Sequence, residues 1–207
     1  MGIFGVILAA GESSRMGRDK ALLPWPPVAE GVASRDTLLS AAIHLFSPYV
    51  DRVVVVAGKN ERELAPVAYG EGASLVVNPD PARGQFSSLQ SGVREVLSHG
   101  RDAAMITLVD RPPVNAPTVQ LLLEAFETAL HRGLWAAVPE YQGKHGHPVL
   151  AGREMIEAFL RAPDTSSARE IEHAHADKIA YVPVDDPLVT ANIDTPEQYA
   201  ALLAPTK

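Results

Sequence analysis

ILAAGESSRMGRDKALLP, residues 7–24, joins the end of an apolar run to a turn of small residues, which two arginines and a lysine follow within ten positions. The apolar run predicts a buried strand, and the small residues at 9–11 let a ligand approach the backbone closely. Exposed backbone N–H groups in such a turn can bind phosphate oxygens, while Arg15 and Lys20 supply positive charge and hydrogen-bond donors. The stretch therefore favours a polyphosphate site just beyond the first strand.

A plainer interpretation of the same stretch is also open. Five residues separate Gly11 from Gly17, and RDK stands where a P-loop carries Lys-Ser or Lys-Thr, so the stretch is not a P-loop. It does not contain G-x-G-x-x-G either. Glycine-containing turns with solvated surface cations are common, so the residues alone leave both interpretations standing.

Apolar, β-rich runs alternate with helical patterns along most of the chain. The predicted strands cover residues 3–9, 52–58, 73–78, 103–109 and 134–140, and the predicted helices cover 36–46, 60–69, 87–99 and 117–132. Further strands are predicted at HPVLAG (147–152) and KIAYVPV (178–184), and further helices at 153–161 and 195–204. The first four strands are nearly all apolar, which is typical of strands covered by helices on both faces. This alternation predicts an α/β fold with a mostly parallel sheet, and we expect a single domain over residues 1–207.

Composition limits the classes of function. Apolar residues make up 46% of the chain and charged residues 21%, which predicts a sizeable core. Asp and Glu number 25 against 18 Lys and Arg, a net charge of −7, so we expect no nucleic-acid or anionic-membrane partner. No apolar run approaches the ~20 residues of a membrane span, and the first basic residues follow the N-terminal apolar run, so we expect a cytoplasmic protein. Without cysteine the chain has no disulfide, thiolate metal site or cysteine nucleophile.

Two carboxylates are predicted to lie at the edge of the sheet where the strands end and where ligand should bind. Asp110 ends the run TLVDRPPV, and Asp194 lies in NIDTPEQY. Ligands of open parallel sheets bind beyond the carboxyl ends of the strands, and Mg²⁺ is usually held by one or two carboxylates plus substrate phosphates. An Asx-type turn before Pro112 is the alternative for Asp110. Thr195 with Gln198 has capping-box spacing, which leaves Asp194 outside the last helix.

Two loops carry further candidates. NPDPARGQFSSLQSGV (78–93) leads a strand into a helix whose N-terminus favours an anion or a polar base edge, although a well-capped helix explains the same residues. Capping-box spacing also predicts helix starts at Asn60–Glu63 and Ser87–Gln90. GKHGHPV (143–149) contains two histidines but no evident third metal ligand, so we interpret it as a glycine-rich loop against substrate, with zinc as a minor alternative.

Taken together and in this order, the stretches LAAGESSRMGRDKALLP, NPDPARGQFSSLQSGV, LVDRPPV, GKHGHPV and NIDTPEQY resemble the MobA-like nucleotidyltransferases. Within that family the chain is most similar to the molybdenum cofactor cytidylyltransferases, and the resemblance covers nearly the whole chain. It implies a three-layer α/β/α sandwich with a mostly parallel Rossmann-like sheet, similar to nucleotide-diphospho-sugar transferases.

The resemblance also implies an activity: Mg²⁺-dependent transfer of CMP from CTP to the terminal phosphate of molybdopterin, with release of pyrophosphate. LAAG in place of LAGG resembles the users of CTP rather than of GTP. A molybdoenzyme apoprotein is an expected downstream partner. The implied catalytic residues are Lys20, Arg15 and Asp110. The implied metal ligands are Asp110 and Asp194. The implied nucleotide contacts are Leu8, Ala9, Ala10, Gly11, Lys20, Asn78, Gly84, Ser87 and Ser88, and the pterin side is implied at Gly146, His147 and Pro148.

Two departures leave the acceptor open. The proline-rich segment 24–37 is longer than the usual connection, and Arg111 follows Asp110 where relatives more often carry a neutral residue such as Gln. An added cation there favours a more anionic acceptor or alters metal binding. Two alternatives therefore stand beside the leading hypothesis. One is a nucleotidyltransferase for a sugar or polyol phosphate, and the other is a non-catalytic carrier or maturation factor for the molybdenum cofactor.

Overall fold

The structure is a computed structural model, and it describes residues 2–11, 17–27, 36–163 and 165–202. Its strands are β1 Ile3–Leu8, β2 Pro24–Trp25, β3 Asp36–Thr37, β4 Arg52–Ala57, β5 Ser74–Val77, β6 Ala103–Leu108, β7 Ala136–Tyr141, β8 Lys144–His145, β9 Val149–Gly152 and β10 Ile179–Pro183. Its α-helices are α1 Leu38–Phe46, α2 Glu61–Gly70, α3 Gln85–Ser98, α4 Ala116–His131, α5 Arg153–Arg161, α6 Ala168–Ala174 and α7 Pro196–Ala201. Short 3₁₀ turns lie at Lys20–Leu22, Pro81–Arg83, Ala176–Lys178 and Pro187–Thr190.

The central sheet has the strand order β10-β7-β9-β6-β1-β4-β5, with β8 added beside β7. β1 pairs in parallel with β4 and β6, β4 with β5, and β10 with β7. β9 is antiparallel to both β6 and β7, and β8 is antiparallel to β7. The predicted mostly parallel sheet is therefore confirmed, and the strand predicted at HPVLAG is the one inserted in the opposite direction.

Helices cover both faces of the sheet, which confirms the three-layer α/β/α sandwich. One apolar cluster packs residues of α1, α2 and α4, such as Ile43 and Phe126, against one face. A second cluster packs residues of α3 and α5, such as Val93 and Phe159, against the other face. Successive residues of β1 alternate between the two clusters, so the strand is buried along its whole length. This two-sided burial is the physical reason for the continuous apolar runs in the sequence.

The helix ends follow the predicted capping only in part. Thr195 accepts a hydrogen bond from the backbone N–H of Gln198 and completes the predicted capping box at α7. The boxes predicted at Asn60 and Ser87 are wrong, since Asn60 makes no side-chain cap and the residue that precedes α3 is Gly84, which leaves Ser87 inside the helix. Both side chains make hydrogen bonds to residues outside these helices, as described below.

A small satellite cluster closes the sheet end that carries the loops after β1 and β6. Leu23, Leu38, Ile193 and Tyr199 pack together, and the Tyr199 hydroxyl donates to the carbonyl of Pro24 at 2.5 Å. The long segment predicted at 24–37 contributes the two-stranded β2–β3 pair, while residues 28–35 lie outside the described part. No helix in the described ranges has the length and apolar character needed to cross a membrane.

Candidate active site

Lys20 lies between the two carboxylates that the sequence singled out. Its Nζ is 3.3 Å from Asp110 Oδ2 and 2.9 Å from Asp194 Oδ1. The lysine side chain is 13% exposed, and the two aspartate side chains are 26% and 36% exposed. Partial burial of this kind strengthens the interaction between charges relative to bulk water. The fold thus brings Asp110 and Asp194, which lie 90 and 174 positions from Lys20 in sequence, to one point.

The sheet topology explains why these three residues meet. β1 and β6 are neighbouring parallel strands, so the loops that follow them leave the same edge of the sheet. The backbone N–H of Val109 extends the ladder by donating to the carbonyl of Leu8 at 3.0 Å, and Asp110 follows immediately. The backbone N–H of Ile193 donates to the carbonyl of Asp110 at 2.9 Å, which places Asp194 beside it.

Asp194 is held from both sides along the chain. Its carboxylate accepts a hydrogen bond from the Asn192 side chain, and its backbone N–H donates to Gln198 Oε1 at 2.6 Å. The preceding 3₁₀ turn, Pro187–Thr190, begins at the fully buried Asp186. That carboxylate accepts from the backbone N–H groups of Asn115 and Leu188 and from the Thr118 hydroxyl, at 2.8–3.0 Å. Sequence reasoning missed Asp186, although Asp-Pro before an apolar turn is a usable signal.

A cleft of about 420 Å³ opens beside the three charged side chains. Leu8, Ala10 and Gly11 line it from the loop after β1, and Gly84, Gln85 and Ser88 line it from the start of α3. Gly84 has a φ of 94°, which favours glycine, and it turns the chain from the 3₁₀ turn into the helix. The first N–H groups of a helix have no partner within the helix and carry its positive dipole end. One wall of the cleft therefore suits an anion or a polar base edge.

Three of the predicted nucleotide contacts do not line the cleft. Ala9 is buried, and its N–H donates to the carbonyl of Val56 at 2.8 Å. Asn78 is also buried, and its Nδ2 donates to Ser87 Oγ at 2.8 Å and to Ser88 Oγ at 2.9 Å. These hydrogen bonds fix the start of α3 relative to β5. A direct contact of Ala9, Asn78 or Ser87 with nucleotide stays a prediction.

The predicted pterin-side turn packs against the segment that carries Asp194. The backbone N–H of His147 donates to the carbonyl of Val189 at 2.9 Å, and the peptide bond from His147 to Pro148 is cis. Gly146 lies so close that a Cβ there would come within 2.1 Å of the Val189 carbonyl oxygen, so glycine is required. Desolvation by burial lowers the pKa of His147 to about 4, and the nearby charge of Arg111 lowers it in the same direction. The imidazole is therefore neutral at neutral pH, and a pterin contact of this turn stays a prediction.

Arg111, the unusual cation after Asp110, has a structural partner. Its Nη1 donates to the carbonyls of Thr190 and Ala191, at 3.2 and 2.9 Å. The side chain therefore ties the segment before Asp194 to the loop that carries Asp110. Arg15, the second predicted cation of the first loop, lies outside the described residues, so its role stays a prediction.

The two carboxylates beside Lys20 are suited to bind a hard divalent cation. Asp110 Oδ1 is buried and has no hydrogen-bond partner among the residues that the structure describes. A buried carboxylate oxygen normally has a partner, so this oxygen is suited to a ligand that the protein itself does not supply. Asp194 adds a second carboxylate at the same point. The described residues contain no cluster of three or more His, Cys, Asp or Glu, so protein ligands alone would leave most of the coordination sphere to substrate and water.

The model of the MobA-like NTP transferase domain matches residues 5–179. The chain belongs to this family. The match begins within β1, includes the loop with Lys20, β6 with Asp110 and the Gly146–Pro148 turn, and ends before Asp194.

Several relatives align with nearly all of the chain at low sequence identity. The molybdenum cofactor cytidylyltransferase of Escherichia coli is 26% identical over 199 residues, covering 94% of this chain and 92% of that protein. The nicotine blue oxidoreductase of Paenarthrobacter nicotinovorans is 28% identical over 215 residues, covering 97% and 96%. The molybdenum cofactor guanylyltransferase of Rhodobacter capsulatus is 28% identical over 210 residues, covering 97% and 94%. The relatives thus differ in base and in named activity.

The fold also has solved counterparts. The crystal structure of Rv0371c from Mycobacterium tuberculosis H37Rv superimposes with a TM-score of 0.79 at 24% identity, covering 98% of this chain and 97% of that one. At this identity the likeness establishes the fold.

Proposed function

We propose that this protein is a Mg²⁺-dependent nucleotidyltransferase that moves CMP from CTP to the terminal phosphate of molybdopterin and releases pyrophosphate. The observation that carries the proposal is the meeting of Lys20, Asp110 and Asp194 at one end of a cleft bounded by a small-residue loop and a helix N-terminus. A nucleoside triphosphate requires this combination: a cation for its phosphates, carboxylates for its metal, and a wall that the base can approach. Family membership supports the reaction class.

Each group has a role that follows from its position. The Lys20 ammonium, together with Arg15, binds the triphosphate and stabilises the charge that develops on departing pyrophosphate. The N–H groups after β1 and at the start of α3 bind phosphate oxygens or the base edge. Asp110 and Asp194 would hold Mg²⁺, which would neutralise phosphate charge and polarise the phosphoryl oxygens of the phosphorus that is attacked.

The reaction needs no covalent enzyme intermediate. An oxygen of the acceptor's terminal phosphate forms a bond to the α-phosphorus of CTP, and the bond from the α-phosphorus to the bridging oxygen of pyrophosphate breaks. The attacking phosphate is already ionised at neutral pH, so the chain need not supply a general base. Positioning of the two anionic substrates and electrostatic stabilisation of the leaving group provide the catalysis.

The base and the acceptor are assigned from the sequence of the first loop, from the names of relatives and from the packing of the Gly146 turn. LAAG at 8–11 resembles the users of CTP, and the E. coli relative is named a cytidylyltransferase. The R. capsulatus relative is named a guanylyltransferase, so GTP is the specific second candidate. For the acceptor, we assign the pterin side to the Gly146–His147–Pro148 turn, because it packs on the segment that carries Asp194. A molybdoenzyme apoprotein is the proposed recipient of the product.

The experiment is pyrophosphate release with Mg²⁺ and molybdopterin, with CTP, GTP and ATP offered separately. We expect release with CTP, and we expect Asp110→Ala to lower turnover by about 10²–10³-fold, as when a main electrostatic contact is removed. The matched control is Asp177→Ala, which removes an exposed carboxylate of the 3₁₀ turn before β10. Near-normal turnover in Asp110→Ala would contradict the metal-binding role. No release with any nucleotide, despite nucleotide binding, would favour another acceptor or the carrier hypothesis.

A further inference from the structure

The side chain of Asn60 joins the two ends of the loop that follows β1. Its Nδ2 donates to the carbonyl of Ala9 at 2.8 Å and to Asp19 Oδ2 at 2.6 Å. Its Oδ1 accepts from the backbone N–H of Gly58 at 3.0 Å. One half-buried amide thus contacts Ala9 and Asp19, which lie 51 and 41 residues away from it in sequence. We call these contacts of Asn60 with Ala9 and Asp19 the loop clamp.

The orientation of this amide is fixed by its partners. A carbonyl and a carboxylate oxygen can only accept here, and the N–H of Gly58 can only donate, so the opposite orientation of the Asn60 amide would lose all three hydrogen bonds. Asn60 is the residue before α2, yet its side chain makes no capping hydrogen bond to that helix. The side chain is therefore committed to the loop and not to the helix that it precedes.

Both ends of the loop clamp are adjacent to groups that face the cleft. Ala9 precedes Ala10 and Gly11, which line the cleft. Asp19 precedes Lys20, and its Oδ1 accepts from the backbone N–H of Ala21 at 2.9 Å, which caps the 3₁₀ turn on which Lys20 lies. The clamp therefore connects the residue before the small-residue backbone with the residue before Lys20.

We propose that Asn60 is a positioning residue for nucleotidyl transfer, which acts through Asp19 and Ala9 to hold Lys20 and the small-residue backbone at the spacing that a triphosphate requires. The inference rests on the proposed function, because it assigns the clamp to the nucleotide side of the same cleft. It assigns no contact between Asn60 and substrate. The acceptor side, at the Gly146 turn, has no hydrogen bond to this clamp.

Steady-state kinetics of Asn60→Ala and Asn60→Asp provide the first test. A misplacement of about 1 Å costs about 10²-fold in rate, so we expect kcat/KM for the nucleotide to fall about 10²-fold in Asn60→Ala. The KM for the acceptor should change less than about threefold, because the clamp lies on the nucleotide side of the cleft. A general loss of structure would instead raise the KM of both substrates. Asn60→Asp should be worse, since a carboxylate then faces the Asp19 carboxylate and the Ala9 carbonyl. Asn115→Ala is the control, because Asn115 also precedes a helix, α4, without a side-chain cap.

The second test exchanges donor and acceptor across the clamp. In the double variant Asp19→Asn/Asn60→Asp, the new amide at 19 can donate to the new carboxylate at 60 and can still accept from Ala21. We expect it to recover kcat/KM at least about fivefold over Asn60→Asp alone, a coupling that independent sites do not show. Asp19→Asn alone sets two NH₂ groups against each other and should lower kcat/KM as well.

These results separate the clamp from the proposed function. The inference is overturned if Asn60→Ala keeps kcat/KM for the nucleotide within about threefold of wild type, if the KM of the acceptor rises more than about threefold, or if the exchanged pair is no better than Asn60→Asp. If the wild-type protein transfers no nucleotidyl group, the proposed function fails, and the clamp is then tested by amide hydrogen exchange. Faster exchange at Ala21 and Gly58 in Asn60→Ala supports the clamp, and unchanged exchange at both overturns it.

Discussion

Replacement of Lys20 by methionine should tighten the binding of a divalent cation while it abolishes most turnover. The ammonium lies 3.3 Å from Asp110 Oδ2 and 2.9 Å from Asp194 Oδ1, so it occupies the gap that a cation bridging these carboxylates must enter. A hydrogen bond to a charged group contributes about 1.5–3 kcal/mol, and 36% exposure of the Asp194 side chain moves the value toward the lower end. Relief of this competition should therefore tighten binding about tenfold, and by no more than about a hundredfold.

The assay is Mn²⁺ binding followed by electron paramagnetic resonance or calorimetry, without nucleotide and at fixed ionic strength. Methionine keeps the length and apolar character of the lysine stem, and Lys178→Met, at the end of the 3₁₀ turn before β10, is the matched control. Pyrophosphate release in Lys20→Met should fall about 10²-fold or more, because the main cation for the leaving group is lost. Unchanged or weaker Mn²⁺ binding in a folded Lys20→Met protein would refute the assignment of Asp110 and Asp194 as a shared metal site.

Three further predictions concern the loops around the cleft and the rim of the sheet. Gly146→Ala should destabilise the protein by roughly 3 kcal/mol or more in urea unfolding, because its Cβ would clash with the Val189 carbonyl oxygen at 2.1 Å; a cost under about 1 kcal/mol would contradict this packing. Burial lowers the pKa of His147 to about 4 from an ordinary 6.5, so the unfolded chain binds its proton first and stability falls as pH drops from 6.5 toward 4. In His147→Gln, the free energy of unfolding should fall by on the order of 2 kcal/mol less than in wild type between pH 6.5 and 5. Identical pH dependence of urea unfolding in the two proteins would contradict this role of His147. Desolvation raises the pKa of Glu172 to about 7, so its effect on stability has the opposite sign, and stability falls as pH rises from 4.5 to 7. Glu172→Gln should therefore stabilise the protein by roughly 1–3 kcal/mol at pH 8 and not at pH 4, as measured by thermal unfolding.

The architecture and the charged centre were predictable because each rests on a general rule. Continuous apolar strands that alternate with helices predict a sheet covered on both faces, and the structure has two clusters on opposite faces. Residues after parallel strands meet at one edge, which brought Lys20 and Asp110 together as expected. The direction of β9 was not predictable, since HPVLAG has the same apolar pattern in either orientation.

The supporting hydrogen bonds could not be read from local spacing. Asn60 and Ser87 have the residue spacing of capping boxes, but tertiary partners compete for the same polar atoms. Asn60 binds Ala9 and Asp19, and Ser87 accepts from Asn78 and lies inside α3. A pattern of three or four residues contains no information on partners 41 or 51 positions away. The same limit hid Asp186 and the role of Arg111, since both bind segments that lie more than sixty positions away.

The most direct test of the central claim follows the α-phosphate itself. CTP and GTP labelled at the α-phosphorus are incubated with the protein, Mg²⁺ and molybdopterin, and the label is located by chromatography and mass spectrometry. We predict that label from CTP appears in a pterin dinucleotide, one for each pyrophosphate released, and that Asp110→Ala lowers the rate of its appearance by about 10²–10³-fold. Label that stays in the triphosphate, or appears only as free CMP, would contradict nucleotidyl transfer at the Lys20–Asp110–Asp194 centre.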